Sequence, residues 1–282
     1  MAEWFVFAVI GMLGSGFQNF GYKLAAEKGC NSATLLSSFI GTGALLAYVM
    51  ILFMGAEVGN IQVLIGLALA NALAYVVRFL ARQEAHKLVP LVWSLPLMKM
   101  STGIVAVLGV IFLGETMSKF NAFGVLVSLA VIWILGTERE GGDFVNVRKG
   151  ALFIFIVIVA AVAGSFVVKF ASGLDKFVFI ALSYSMMFFM AFPLQKRFSN
   201  LSEATSRTAI KWGSIIGGIN FLSFTSLLTA LEEGPISIVF PLFSLGMAVS
   251  VAMSTLILDE KLNLKRILGF FAAIFALVLL RI

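Results

Sequence analysis

The sequence predicts an all-α polytopic membrane protein in which ten transmembrane helices form two inverted five-helix repeats. Three observations predict it. Of 282 residues, 61% are hydrophobic and 12% charged, and the mean hydropathy is +1.06, whereas soluble domains carry about 25% charged residues. The apolar residues fall in runs near the roughly 20 residues that span a bilayer, and the runs recur from end to end. Prolines, a glutamate and a glycine then recur in one register between the two halves.

Hydropathy and breaker residues place the spans at about 4–24, 33–54, 61–80, 89–113, 120–136, 150–170, 178–194, 209–231, 236–258 and 264–280. The first follows Met1-Ala2-Glu3 with no basic stretch and no small-residue cleavage site, so it reads as a retained helix rather than a signal peptide. The runs are apolar on both parities, which excludes the alternating strands of a barrel and leaves helices. The most polar connector, TEREGGDFVNVRK at 137–149, divides the chain into a first repeat at 1–137, a linker at 138–149 and a second repeat at 150–282.

Placing Pro90 on Pro235 superposes, without a gap, Ala85 on Ala230, Pro96 on Pro241, Glu115 on Glu260 and Gly124 on Gly269. Composition does not explain two prolines, a glutamate and a glycine in register, so an internal repeat is expected. Upstream the match slips by one residue and sets Phe20, Lys23 and Ala25 on Phe166, Lys169 and Ala171. Five helices per copy force the second copy to be inverted, the architecture in which transporters enclose a site near the midplane.

Connectors after odd-numbered spans hold Lys23, Lys28, Arg78, Arg82, Lys87, Arg139, Arg148, Lys149, Lys196, Arg197, Arg207, Lys211, Lys261, Lys265 and Arg266, leaving only Lys99, Lys119, Lys169, Lys176 and Arg281 elsewhere. The positive-inside rule then puts that face in the cytoplasm and both termini outside. The formal charge of +6 is topological. It forms no single basic face, and no nucleic-acid partner is expected.

Residues 230–280, ALEEGPISIVFPLFSLGMAVSVAMSTLILDEKLNLKRILGFFAAIFALVLL, resemble the end of an EamA domain of the drug/metabolite transporter superfamily. Residues 85–135 carry the matching LGET turn at 113–116, and GSGFQNFGYKLA at 14–25 is similar to the pattern that opens such domains. The resemblance implies ten helices and export of an amino acid, metabolite or drug from an inner or plasma membrane. It also implies cytoplasmic termini, opposite to the charge count.

Lys99 is the most informative residue, since a charge inside a span costs at least about 2.5–3.5 kcal/mol and faces a cavity or a partner. Its repeat equivalent is Ser244, and the faces Val92-Pro96-Lys99-Gly103 and Ser237-Pro241-Ser244-Ala248 correspond. Both prolines free a carbonyl and serve either a cavity or a packing kink. Asn71, Tyr75, Arg78 and Arg82 draw a polar stripe along the third span, and Asn220 with Ser223 matches its depth in the eighth. The arginines read first as snorkelling to the interface, while Asn71, Tyr75 and Asn220 suit pathway lining and interhelical bonding equally. Gln18, Asn19 and Tyr22 lie beside Gly11, Gly14 and Gly16, small residues that allow close helix approach.

Glu115 and Glu260 match the family's glutamate, yet each precedes a helix whose positive N-terminus suits a carboxylate. Glu84, Glu232 and Glu233 read as solvated loop charges, and His86 as an interface residue. One cysteine, Cys30, and one histidine give no disulfide and no metal cluster, and no catalytic motif or phosphate loop occurs. Neither an enzyme nor a cofactor is expected. The substrate-binding candidates are Lys99, Ser244, Asn71, Tyr75, Asn220 and Gln18, the solute is anionic or zwitterionic, and a proton is the candidate coupling ion. Uptake of a neutral sugar or nucleoside and a non-transporting scaffold are the alternatives.

Overall fold

Short polar residues set where the helices begin. Asn31 accepts from the amides of Ala33 and Thr34, Asn60 from those of Gln62 and Val63, Asn146 from Lys149, and Asn263 from Arg266. Ser118 and Asn121 form a reciprocal capping box. Each supplies an acceptor that the first turn of a helix lacks internally. Gly114 ends a helix at φ 64°, a left-handed conformation that glycine adopts without cost.

The computed structural model describes residues 3–56, 58–137, 145–198, 203–258 and 263–282. The helices are α1 (Glu3–Glu27), α2 (Ser32–Met54), α3 (Ile61–Leu88), α4 (Leu91–Lys99), α5 (Ser101–Leu113), α6 (Lys119–Gly136), α7 (Val147–Ala171), α8 (Lys176–Phe198), α9 (Glu203–Glu233), α10 (Ile236–Ser244), α11 (Gly246–Ile257) and α12 (Leu264–Arg281). Among the described residues, seven helical stretches are long and apolar enough to cross a membrane, and Lys176–Ala191 is a shorter apolar helix. The protein is an integral multi-pass membrane protein. Residues 138–144, most of the expected linker, and Glu260 lie outside the described residues.

Two expected spans are broken. The break falls at Met100 between α4 and α5 and at Leu245 between α10 and α11, four residues after Pro96 and Pro241 respectively. At the second break the Ser244 hydroxyl donates to the Pro241 carbonyl at 2.6 Å, while the Leu245 amide bonds the Leu242 carbonyl at 3.0 Å. That is the tighter i to i−3 pattern. At the first, the Met100 amide is shared between the carbonyls of Pro96 and Leu97. The bounds themselves recur at one offset: Leu91 and Ile236, Lys99 and Ser244, Ser101 and Gly246, Lys119 and Leu264, Gly136 and Arg281 are each separated by 145 positions.

Helix packing follows the same correspondence. One bundle sets α1 against α9, α10 and α11, and the other sets α7 against α3, α4 and α5. The α2 helix packs on α8 and α9, α3 also meets α8, and α6 pairs with α12. Among the described residues, several contacts have no counterpart, and the most extensive of them involves α5. The α5 helix packs along α10, but among the described residues α4 and α11 make no comparable contact.

The two ends of the molecule therefore differ. At one end lie the C-termini of α5 and α7 and the α9–α10 corner. Trp4 lies against that corner at Gly234, and the Leu279 and Leu280 carbonyls accept from Asn121 near the start of α6. Both chain termini are thus at this end. At the other end, the amides of Val145 and Asn146 bond the Leu88 carbonyl, joining the start of α7 to the end of α3.

Candidate functional site

The site is built between the two bundles. On α1, Gln18 and Tyr22 stand four residues apart and so share a face, and the Gln18 amide donates to the Tyr22 hydroxyl at 3.5 Å. From α9, the Asn220 amide nitrogen donates to the Gln18 oxygen at 2.9 Å. From α8, the Tyr184 hydroxyl donates to the Asn220 oxygen. Tyr75 on α3 acts electrostatically on Tyr22, so α3 adjoins the polar chain that links α1, α8 and α9. Asn220 and Gln18 come from opposite halves of the sequence. Their pairing satisfies amide groups that burial among apolar helices would otherwise leave expensive.

Aromatic rings hold this chain in place. Tyr184 stacks on Phe224, with ring centroids 6.1 Å apart, and tilts against Phe39 at 6.2 Å. Tyr22 meets Phe39 edge-on at 6.0 Å. Gly43 on α2 presents no Cβ to the Tyr184 ring, and a Cβ there would overlap it.

Positive charge borders the network. The Arg78 guanidinium lies 5.2 Å from the centre of the Tyr75 ring, a cation–π distance. Arg82 donates through Nε to His86 Nε2 at 3.2 Å, and His86 Nδ1 is 3.0 Å from the Ser94 hydroxyl on α4. Lys99 is exposed, and Arg82 and Arg78 are the charges that act on it. Among the described residues its ammonium has no hydrogen-bond or ion-pair partner. A lysine at this depth, with like charges beside it, is favourable only where water or an anion reaches it.

The structure joins Gln18 and Asn220 in one network, sets Arg78 against the Tyr75 ring, and leaves Lys99 in the field of Arg82 and Arg78. Asn71 is buried on α3, one turn before Tyr75. Ser244 is buried, and its hydroxyl is taken by Pro241 rather than shared with the network. Ser223 likewise donates to the Gly11 carbonyl at 2.7 Å, fastening α9 to α1. Tyr184 is the site residue that sequence reasoning missed. It stands in a run with Phe177, Phe179, Phe188 and Phe189, where a ring reads as packing. Its hydroxyl, flanked by Ser183 and Ser185 in a mostly apolar segment, is the signal that marks it.

Glu115 lies away from this network. Its two oxygens accept from the amides of Ile236 at 2.7 Å and Ser237 at 2.9 Å. The carboxylate caps a helix N-terminus, as its chemistry suggests, but that of α10 across the bundle rather than that of α6, which Ser118 already caps.

Residues 148–282 match the model of the EamA-like transporter family. One solved crystal structure of a protein superposes with a TM-score of 0.79 at 14% identity, covering 96% of this chain and 95% of that chain. Identity that low shows a shared fold alone. No curated protein matches the chain.

Proposed function

Because the second half of the chain belongs to the EamA-like transporter family of the drug/metabolite transporter superfamily, whose members suggest small-molecule transport, we propose that this protein is a secondary transporter that exports a small anionic or zwitterionic metabolite, such as an amino acid, by alternating access. The observation that carries the reading is Lys99, an exposed cation in the field of Arg82 and Arg78, the second of which lies against the Tyr75 ring. Its cation takes the acidic group of the solute, and Arg78 adds to the same field. Gln18, Tyr75 and Asn220, with Tyr22 and Tyr184, meet the polar remainder, and Asn71 and Ser244 line neighbouring positions.

The framework of the proposal is ten crossings in two inverted five-helix repeats, 1–137 and 150–282. It is supported by the recurrence of helix bounds at one offset and by the paired bundle contacts. Rocking of one bundle against the other exposes the site to each side in turn. The bilayer is the solvent, a proton is the candidate coupling ion, and no cofactor or catalytic step enters.

One observation favours a second reading. Three tyrosine hydroxyls and two carboxamides converge, and such groups also suit a hydroxyl-rich neutral solute such as a sugar or nucleoside. Purified protein in liposomes, screened for flux of amino acids, organic acids and sugars with and without a pH gradient, tests both readings. Saturable flux of an acid or amino acid that depends on Lys99 supports the first. Flux of neutral solutes alone supports the second, and no flux of any solute favours a non-transporting scaffold.

A further inference from the structure

We infer that Glu115 and Lys169 form a releasable latch that closes the pathway at the end of the molecule holding both termini. The inference rests on the alternating-access reading above and assigns the residues that carry the closure. Glu115 follows α5, Lys169 is in the last turn of α7, and both helices belong to one bundle. Both side chains reach the α9–α10 corner of the other. Glu115 accepts from the first two amides of α10, and the Lys169 ammonium donates to the Leu231 carbonyl at 2.7 Å and the Gly234 carbonyl at 2.9 Å.

The chemistry is complementary at both contacts. A helix N-terminus offers unpaired N–H groups to an anion, and a helix C-terminus offers unpaired carbonyls to a cation. Here the end of α9 and the start of α10 meet at one corner, and one bundle supplies a carboxylate for the first amides and an ammonium for the last carbonyls. The Glu115 carboxylate also acts electrostatically on Lys169. The Glu115 and Lys169 ties each join a side chain of one bundle to backbone of the other, and Lys176 on α8 adds side-chain bonds to Thr229 and Glu232 on α9, so this corner opens by releasing side chains, with no secondary structure broken.

Two features mark the closed arrangement as one state of a moving pair. Gly109 is what lets α5 approach, since a Cβ there would be 2.6 Å from the Ile236 side chain and 3.0 Å from a Glu115 oxygen. Beneath the latch, the Ser237 hydroxyl is buried and, among the described residues, has no hydrogen-bond partner. Closure leaves that donor unsatisfied, and opening lets water reach it. Among the described residues, α4 and α11 make no contact comparable to that of α5 and α10.

The test places a reporter under the latch. On a Cys30→Ser background, Ser237→Cys is labelled with a small thiol reagent in the full-length purified protein without solute. Slow labelling is expected with Glu115 in place. Glu115→Gln keeps the shape but loses the charge and turns an amide toward amides. It should speed labelling by about tenfold, the weight of one hydrogen bond to a charged group. Lys169→Gln should act in the same direction. Unchanged labelling in either folded variant overturns the latch. If Glu115→Gln does not fold, Glu115→Asp, which keeps the charge but draws it back, and Lys169→Gln decide on the same criterion. Labelling needs no transported solute, so a silent flux screen refutes the transport reading and leaves this measurement standing.

Discussion

Replacing Lys99 with glutamine separates a binding lysine from a structural one. Glutamine keeps hydrogen-bonding capacity and removes the charge, so flux per folded molecule should fall at least about tenfold if the ammonium binds an acidic group. The melting temperature should hardly move, because an exposed side chain without a described partner contributes within about 0.5 kcal/mol. Lys99→Arg should keep part of the flux. Asn220→Ala makes the opposite pattern. It strands the Tyr184 hydroxyl and the Gln18 oxygen together, so stability in detergent unfolding should drop by about 1–3 kcal/mol along with activity. Cys30, in the turn between α1 and α2, has its thiol pKa raised by burial, partly offset by Lys28. A raised thiol pKa leaves less thiolate at neutral pH, so its alkylation should be slow at pH 7 and should speed up through the alkaline range. Lys99, Asn220 and Gln18 were legible in the sequence because a polar group inside an apolar span stands out. Tyr184 was not, since a phenolic ring hides its hydroxyl among phenylalanines.

Glycine spacing forecasts where helices cross. A Cβ on Gly246 would come 2.6 Å from the Met12 carbonyl, and one on Gly16 would be 2.7 Å from the Gly246 carbonyl, so α1 and α11 touch backbone to backbone. Gly16→Ala should therefore cost about 1–3 kcal/mol through overpacking, read as a lower midpoint in detergent unfolding. Gly66 on α3 has open space around it, and Gly66→Ala should be neutral or stabilise by up to about 1 kcal/mol from helix propensity alone. The sequence already singled out Gly11, Gly14 and Gly16 as sites of close approach. Seven of the spans were legible too, because length and apolarity of a bilayer-crossing helix leave little freedom. The breaks at Met100 and Leu245 were not. Proline predicts a kink toward its own N-terminal side, and the tightened turn after it depends on which carbonyl the next amide selects. At Leu245 that choice is set by the Ser244 hydroxyl, which occupies the Pro241 carbonyl.

At the scale of the whole molecule, the proposed repeat rests on the register of prolines and glutamates in the sequence, since a kink and a turn must recur wherever a copy recurs, and the helix bounds that recur at one offset support it. The difference between its two ends was beyond the sequence. Two copies of one pattern look equally closed on paper, and the packing of α5 on α10, unmatched by α4 on α11 among the described residues, separates them. The absolute orientation joins these threads. Asn146 caps α7 beside the end of α3, at the end opposite the Glu115 closure and both termini. Most arginines and lysines belong to connectors at the Asn146 end, so the positive-inside rule puts Asn146 in the cytoplasm, whereas the family resemblance puts the termini there instead. A single Asn146→Cys on a Cys30→Ser background, in intact cells, decides between them. By the charge bias it should resist an impermeant thiol reagent added outside and react once the membrane is permeabilised. In that case the Glu115 latch closes the outer side, and the end beyond α4 and α11 faces the cytoplasm, the arrangement an exporter adopts to load its solute. Labelling from outside in sealed cells would reverse the orientation, make the latch a cytoplasmic closure, and show that the tally of basic residues here reports something other than topology.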